Sequence, residues 1–272
     1  MKRHQSHKRK RGAPLGQHFL TNPRIADAVA DAAGVHNDDM VIEVGPGKGI
    51  LTQALLKKGA RVIAIEKDPA MIHFIYEMFP RAVSSGQLKV FGEDIRDFLK
   101  PEDGRWKVGA SYKVVANIPY YITGELIRLF LTAKKQPSVI TFLIQKEVAE
   151  RIARSKKESL LSLSVKVFGT PRYVKTIKKG SFIPAPSVDS AILTINNISR
   201  NNFNAMHGGV SEELFFKIIR AGFAQKRKTL GSNLKRVFGE SALTALEKIK
   251  LPARTRAEDV PLNTWLDLAR EL

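Results

Sequence analysis

Short runs of apolar, β-branched residues recur along the first two hundred positions. They are MVIEVG (40–45), ARVIAIE (60–66), LKVFGED (88–94), YKVVANI (112–118), VITFLIQ (139–145) and DSAILTI (189–195). Each is nearly continuous in hydrophobicity, the pattern of a strand buried on both faces. Between them lie ILTQALLKKG, PAMIHFIYEMF and GELIRLFLTAKK, whose apolar positions recur at helical spacing. Strand–helix alternation at this interval predicts a parallel sheet with helices on both faces, a Rossmann-like α/β fold. SLSVKVFG (162–169) and RYVKTIKK (172–179) read as further strand material near the sheet edge.

The texture changes after residue 195. NNISRNNFNAMHGGV is rich in Asn and Gly and reads as a linker. SEELFFKIIRAGFAQ, TLGSNLKRVF, SALTALEKIK and LNTWLDLAREL then follow as short helices. The pattern divides the chain into a basic arm (1–12), an α/β domain (13–198), a linker (199–210) and a small all-helical domain (211–272).

Composition narrows the partners. Lys and Arg number 45 against 26 Asp and Glu, a formal charge of +19. Such an excess favours a polyanion, because each neutralised phosphate releases condensed counterions. No apolar run approaches the ~20 residues of a membrane-spanning helix, and the basic N-terminus lacks the apolar core of a secretory signal. Nucleic acid is therefore preferred to membrane, and a cytoplasmic protein is expected. The chain has no cysteine, which excludes Cys-ligated zinc, iron–sulfur clusters and thiolate nucleophiles. Its six histidines are scattered, so no metal site is expected.

The candidate chemistry lies at strand ends, where open α/β sheets bind ligands. In VIEVGPGKGILT, Gly45, Gly47 and Gly49 follow a strand and open a helix, allowing a tight turn and close approach of backbone to a ligand. The spacing is G-x-G-x-G rather than the G-x-G-x-x-G that cradles a pyrophosphate. Glu66 closes the next strand, 21 positions after Gly45, where an acid can accept both ribose hydroxyls of an adenosine. Asp68 precedes Pro69 and reads as a helix cap. Asp94 ends the third strand and can either cap a helix or accept from an adenine amino group. At the fourth strand comes NIPY, Asn117 to Tyr120. If the target is an adenine amino group, as the resemblance given below implies, its nitrogen is a poor nucleophile because its lone pair is delocalised into the ring. Acceptors on its N–H bonds, the Asn117 oxygen and the carbonyl of Ile118 or Pro119, would free that lone pair. Pro119 fixes the backbone that aims the carbonyl, and Tyr120 offers a face for the base.

GQHFL (16–20), EVGPGKGILT, IEKD, GEDIRDF, NIPYYIT, IQKEVAERI, SFIPAPSVDSAIL and FAQKRKTLGSNL occur in the order seen in ribosomal RNA adenine dimethyltransferases. The chain resembles that family, and its small-subunit members in particular, from about residue 14 to 270. The resemblance implies a seven-stranded methyltransferase sheet and S-adenosylmethionine as cofactor. It implies dimethylation of the N6 groups of two adjacent adenines near the 3′ end of small-subunit RNA, with a role in subunit biogenesis. Gln17, His18, Leu20, Gly45, Gly47, Glu66, Asp94 and Asn117 fall on cofactor positions, and His18 stands where many relatives have Asn. Phe182 falls on a second aromatic that would sandwich the target adenine against Tyr120. Where the family commonly has a Tyr-Gly pair, this chain has Leu160 and Leu161.

Lys226, Arg227, Lys228 and Arg236 sit on or beside a helix start and are the expected RNA contacts, with Arg172, Lys175, Lys178 and Lys179 adding charge elsewhere. The expected partner is small-subunit RNA or its precursor particle, met by a monomer. Two other readings stay open at this point: a large-subunit methylase of the macrolide-resistance type, and a protein acting mainly as a nucleic-acid-binding assembly or transcription factor.

Overall fold

Buried apolar strands can satisfy their backbone groups only by pairing with each other, and here they do so in one twisted sheet. The computed structural model describes residues 18–99, 111–204 and 209–272. Gln17 and the basic arm 1–12 lie outside the described residues. In chain order the first elements are β1 (Phe19–Leu20), α1 (Pro23–Ala32), β2 (Met40–Val44), α2 (Ile50–Lys57) and β3 (Arg61–Ile65). Then come α3 (Pro69–Met78), α4 (Pro80–Ser84), β4 (Leu88–Phe91), α5 (Ile95–Phe98), β5 (Lys113–Asn117) and α6 (Thr123–Thr132). They are followed by β6 (Val139–Gln145), α7 (Lys146–Ala153), α8 (Leu160–Lys166), β7 (Thr170–Ile177), β8 (Phe182–Ile183) and β9 (Ser190–Asn196). Helices α9 (Glu212–Gly222), α10 (Leu230–Phe238), α11 (Glu240–Lys248) and α12 (Leu262–Glu271) complete the chain.

Among the described residues the sheet has seven strands in the order β4-β3-β2-β5-β6-β9-β7. The five from β4 to β6 are parallel. The parallel sheet expected from the sequence is borne out for these five, and one strand departs from it, β9, which runs antiparallel to both β6 and β7. The link from β7 to β9 holds no crossover helix, and without one the neighbouring strand must run the other way. The strand order reverses between β2 and β5, which opens a crevice at their carboxyl ends.

Caps set the helix starts. Asn22 accepts from the Arg24 N–H ahead of Pro23, and Asp68 accepts from the Ala70 N–H ahead of Pro69. SLSVKVFG is the second correction, for most of it is helix α8 rather than strand. The Ser159 and Ser162 side chains each accept from the other residue's backbone N–H, forming a capping box. Leu163, Val165 and Val167 are all buried; their period of two imitates a strand, and the cap decides otherwise. RYVKTIKK does form the edge strand β7. A register shift between Tyr173 and Lys175 leaves Val174 and Lys175 both exposed.

The C-terminal helices share one continuous core with the sheet. Phe168 lies 5.3 Å from Phe203 and 6.0 Å from Phe216, ring centre to ring centre. Arg200 donates to the carbonyls of Thr132 and Ala133 and pairs with Glu212 at 3.2 Å. Residues 199–204 of the expected linker are thus tied to the sheet's helices and to α9, while 205–208 lie outside the described residues.

Candidate active site

The crevice at the strand reversal holds a cavity of about 320 Å³. Its floor is the loop after β2. Gly45 and Gly47 have φ of +68° and +53°, the left-handed region that a side chain disfavours. A Cβ on Gly47 would meet the Phe19 ring at 3.0 Å. The same close approach lets a ligand lie against backbone at this turn.

β3 delivers Glu66 to one wall. The residue is 5% exposed, and its Oε1 accepts from the backbone N–H groups of Lys67 and Asp68, both at 2.9 Å. A carboxylate held this way is aimed before any ligand arrives. The turn after β4 supplies Asp94, which lines the cavity and also caps α5 through the Arg96 N–H. It thus caps a helix, as the sequence allowed, and stands at the cavity as well. Arg96 grips the carboxylate through Nε at 2.9 Å and Nη2 at 2.7 Å, and holds its pKa down at about 2.

From β5 comes Asn117. Its Nδ2 donates to the His18 carbonyl at 3.0 Å. A carbonyl can only accept, so the amide orientation is fixed and Oδ1 is the atom left for a ligand. Pro119 starts a short 3-10 turn, Tyr120–Ile122, which turns the chain back along the cavity wall. Tyr120 shares a hydrogen bond with the Ser190 hydroxyl at 2.8 Å and lies 5.6 Å from the His18 ring. Burial raises its phenol pKa, so the ring is neutral.

The segment carrying His18 and Leu20 borders the cavity and is held in place by residues 181–184. β1 pairs antiparallel with β8, the Thr21 N–H donates to the Ser181 carbonyl at 3.0 Å, and His18 Nδ1 bonds the Pro184 carbonyl at 2.7 Å. His18, Leu20, Gly45, Gly47, Glu66, Asp94, Asn117, Pro119 and Tyr120 all border the one cavity.

Phe182 does not, and the sandwich expected of it is corrected. It is 3% exposed, opposite Leu20 in the β1–β8 pair and packed in the core with Leu143 and Ile192. Strand alternation decides this: Phe182 faces in and Ile183 faces out. Lys226, Arg227 and Lys228 form an exposed turn just before the N-terminus of α10, and Arg236 is exposed on that helix. None of the four borders the cavity.

The family model for ribosomal RNA adenine dimethylase matches residues 7–272. The chain belongs to that family. A ribosomal RNA small subunit methyltransferase A from Dehalococcoides mccartyi is 39% identical, over 94% of this chain and 87% of the relative. A protein of the same name from Lactobacillus johnsonii is 32% identical over 95% and 89%. Among solved structures, a dimethyladenosine transferase from Plasmodium falciparum is similar at TM-score 0.74 and 27% identity, covering 92% of this chain and 96% of that one. The 23S rRNA methyltransferase ErmE shares the fold at TM-score 0.69 and 23% identity, over 93% and 99%.

Among the lining residues of this dimethylase that were not singled out in the sequence are Lys48, Tyr121 and Glu43. Lys48 lies over the Phe19 ring at 5.3 Å, and Tyr121 stands 65% exposed beside the cavity. Glu43 is buried at the back of it, 1% exposed. An acid inside the apolar run VIEVG was the available signal for the last. Among the described residues, no cluster of potential metal ligands exists and no helix is long and apolar enough to cross a membrane.

Proposed function

We propose that this dimethylase transfers methyl groups from S-adenosylmethionine to the N6 nitrogens of two adjacent adenines near the 3′ end of small-subunit ribosomal RNA. The residues fit the cofactor. A glycine turn at positive φ gives close backbone approach, and a buried carboxylate at the end of β3 suits a ribose diol. Gly45, Gly47, Glu66, Asp94 and the His18–Leu20 segment would hold it. When bound, it supplies a methyl group already activated on a sulfonium.

The observation that carries the reading is the Asn117 amide, tied by its nitrogen to the His18 carbonyl with its oxygen left for a ligand. That oxygen accepts one adenine N–H. The Pro119 carbonyl already takes the Ile122 N–H at 3.3 Å, so we assign the second acceptor to the Ile118 carbonyl. With both N–H bonds engaged, the nitrogen lone pair leaves the ring system and becomes nucleophilic. Tyr120 supports the face of the base, worth ~1–3 kcal/mol in stacking. No strong base is required, because the sulfonium is a good leaving group and alignment supplies most of the rate. The small-subunit RNA is favoured as substrate by relatives of that name at up to 39% identity across nearly the whole chain.

The test is incubation with labelled S-adenosylmethionine and, in parallel, unmethylated small subunits and unmethylated large subunits, followed by mapping of the modified bases. Two neighbouring dimethyladenines near the 3′ end are expected. Label confined to large-subunit RNA, or no label at all, would overturn the proposal.

A further inference from the structure

Glu43 is an acid in the middle of β2, flanked by Ile42 and Val44 and 1% exposed. It borders the same cavity as Glu66 and Asn117. Its Oε2 accepts from the Thr52 hydroxyl of α2 at 2.7 Å. Its Oε1 is buried and has no hydrogen-bond partner among the described residues. An ionised carboxylate in that position would leave a charge with one bond, a costly arrangement. The neutral acid, with one proton on Oε1, does not.

The surroundings say what could change this. From β3 comes Glu66, a second acid whose charge opposes ionisation of Glu43. The β4–α5 turn brings Asp94, already gripped by Arg96. β5 contributes the neutral Asn117, α6 brings Glu125, and the loop into α2 brings Lys48 with its stem over Phe19. Of the cations at the cavity, Arg96 is paired with Asp94 and Glu125, Lys48 lies over the Phe19 ring, and Lys67 is exposed after β3; Glu93 adds a further acid. The cavity wall is thus rich in acids, one of them uncharged, around a space where a cation can lie.

We infer that Glu43 is the counter-ion of the cofactor's cationic end, held as a neutral acid in the free enzyme and ionised when that cation enters. The inference rests on the cavity being the S-adenosylmethionine site. The step balances simply: the Oε1–H bond breaks, the proton passes to solvent buffer, and the carboxylate charge is retained against a sulfonium or ammonium. Burial supports it independently, raising the carboxyl pKa to about 8. Binding near neutral pH should therefore release close to one proton per site.

Calorimetry of S-adenosylmethionine binding to the full chain, in buffers of differing ionisation enthalpy at about pH 6.5, measures that proton directly. This pH lies below the range of an α-ammonium, about 7.7–8.0, so the ligand keeps its own protons. Wild type is expected to release about one proton, and Glu43→Gln none, with at least tenfold weaker binding. Infrared spectra of the wild type should lose a protonated-carboxyl band on binding, a readout that needs no variant to fold. Tight binding with no proton released, or release unchanged in Glu43→Gln, overturns the inference and leaves the cofactor site standing. A wild-type chain that binds no S-adenosylmethionine overturns the reading of the cavity, and this inference with it.

Discussion

Asn117 and Glu66 reach the cavity by the same device, a strand end whose final side chain is pinned by nearby backbone groups. Asn117→Ala removes an acceptor that is oriented before the reaction, so single-turnover methylation should fall on the order of 100- to 1000-fold. RNA affinity should barely move, since phosphate contacts elsewhere supply most of it. A rate within about threefold of wild type, under 1 kcal/mol, would remove Asn117 from the chemistry. Glu66→Ala should weaken cofactor binding by ~1.5–3 kcal/mol, the range for charge-assisted hydrogen bonds, with the fold intact. Unchanged affinity by calorimetry would take Glu66 out of the site. Glu43 makes a prediction on stability whose sign is the reverse of the usual carboxylate. Its pKa in the fold, about 8, lies above the ordinary 4.5. Between those values the folded chain holds a proton that the unfolded chain has lost. Its contribution to stability therefore falls as pH rises through this window, by at most about 1.4 kcal/mol per pH unit, and levels off above the folded pKa. The melting temperature of Glu43→Gln relative to wild type should climb from about pH 5 to about pH 8. A difference that is flat with pH would mean that the carboxyl is ionised in the free protein.

The elements show which parts of this were legible beforehand. Strands β2, β3, β5, β6 and β9 were readable because they are largely buried on both faces and their sequences are nearly continuous in apolar residues. The edge strand β4 was readable because Leu88, Val90 and Phe91 still make one short run. The helices α1 and α3 carry their cap and proline in the sequence itself. Of the site, the glycine turn, Glu66, Asp94 and NIPY were legible from position alone, since each ends a strand. β1 and β8 were not, because two-residue strands have no period, and their pairing over 160 positions is set by tertiary packing. That pairing also buries Phe182, which motif matching alone had put beside the target base. α8 failed for a different reason: two periodicities fit SLSVKV, and a serine pair three residues apart chose between them. The choice can be measured. Ser159→Ala removes the side chain that accepts the Ser162 N–H and should lower stability by ~1 kcal/mol, within the ordinary range for a lost N-cap. Chemical denaturation with an unchanged midpoint would show that the box does not hold this helix.

Taken whole, the molecule separates its chemistry from its charge. The cavity is walled largely by acids and neutral groups, while the excess of 45 basic over 26 acidic residues lies elsewhere. Part of it is the exposed turn of Lys226, Arg227 and Lys228 at the mouth of α10, where the helix N-terminus adds partial positive charge. The helices bearing that turn share a core with the sheet, and the Lys157–Glu258 pair at 2.5 Å joins the two parts again. RNA held on the helical face would thus be presented at a fixed position relative to the cavity. We expect that binding to be governed by counterion release, with log affinity falling linearly against log salt concentration. Each lost phosphate contact should flatten that line by about 0.7–0.9, the range spanning single-stranded and duplex nucleic acid. Replacing Lys226, Arg227 and Lys228 together with Ala should therefore flatten the slope by about 2–3, while cofactor affinity stays constant because none of the three borders the cavity. Removing residues 1–11, with their cluster of Lys and Arg, should flatten it further and additively, since the two changes remove different contacts. Filter binding of small-subunit RNA across a salt series measures both. A slope untouched by the triple replacement would mean that this turn meets no phosphate, and the RNA-contacting face would then have to be sought along β7, at Arg172 and Lys175.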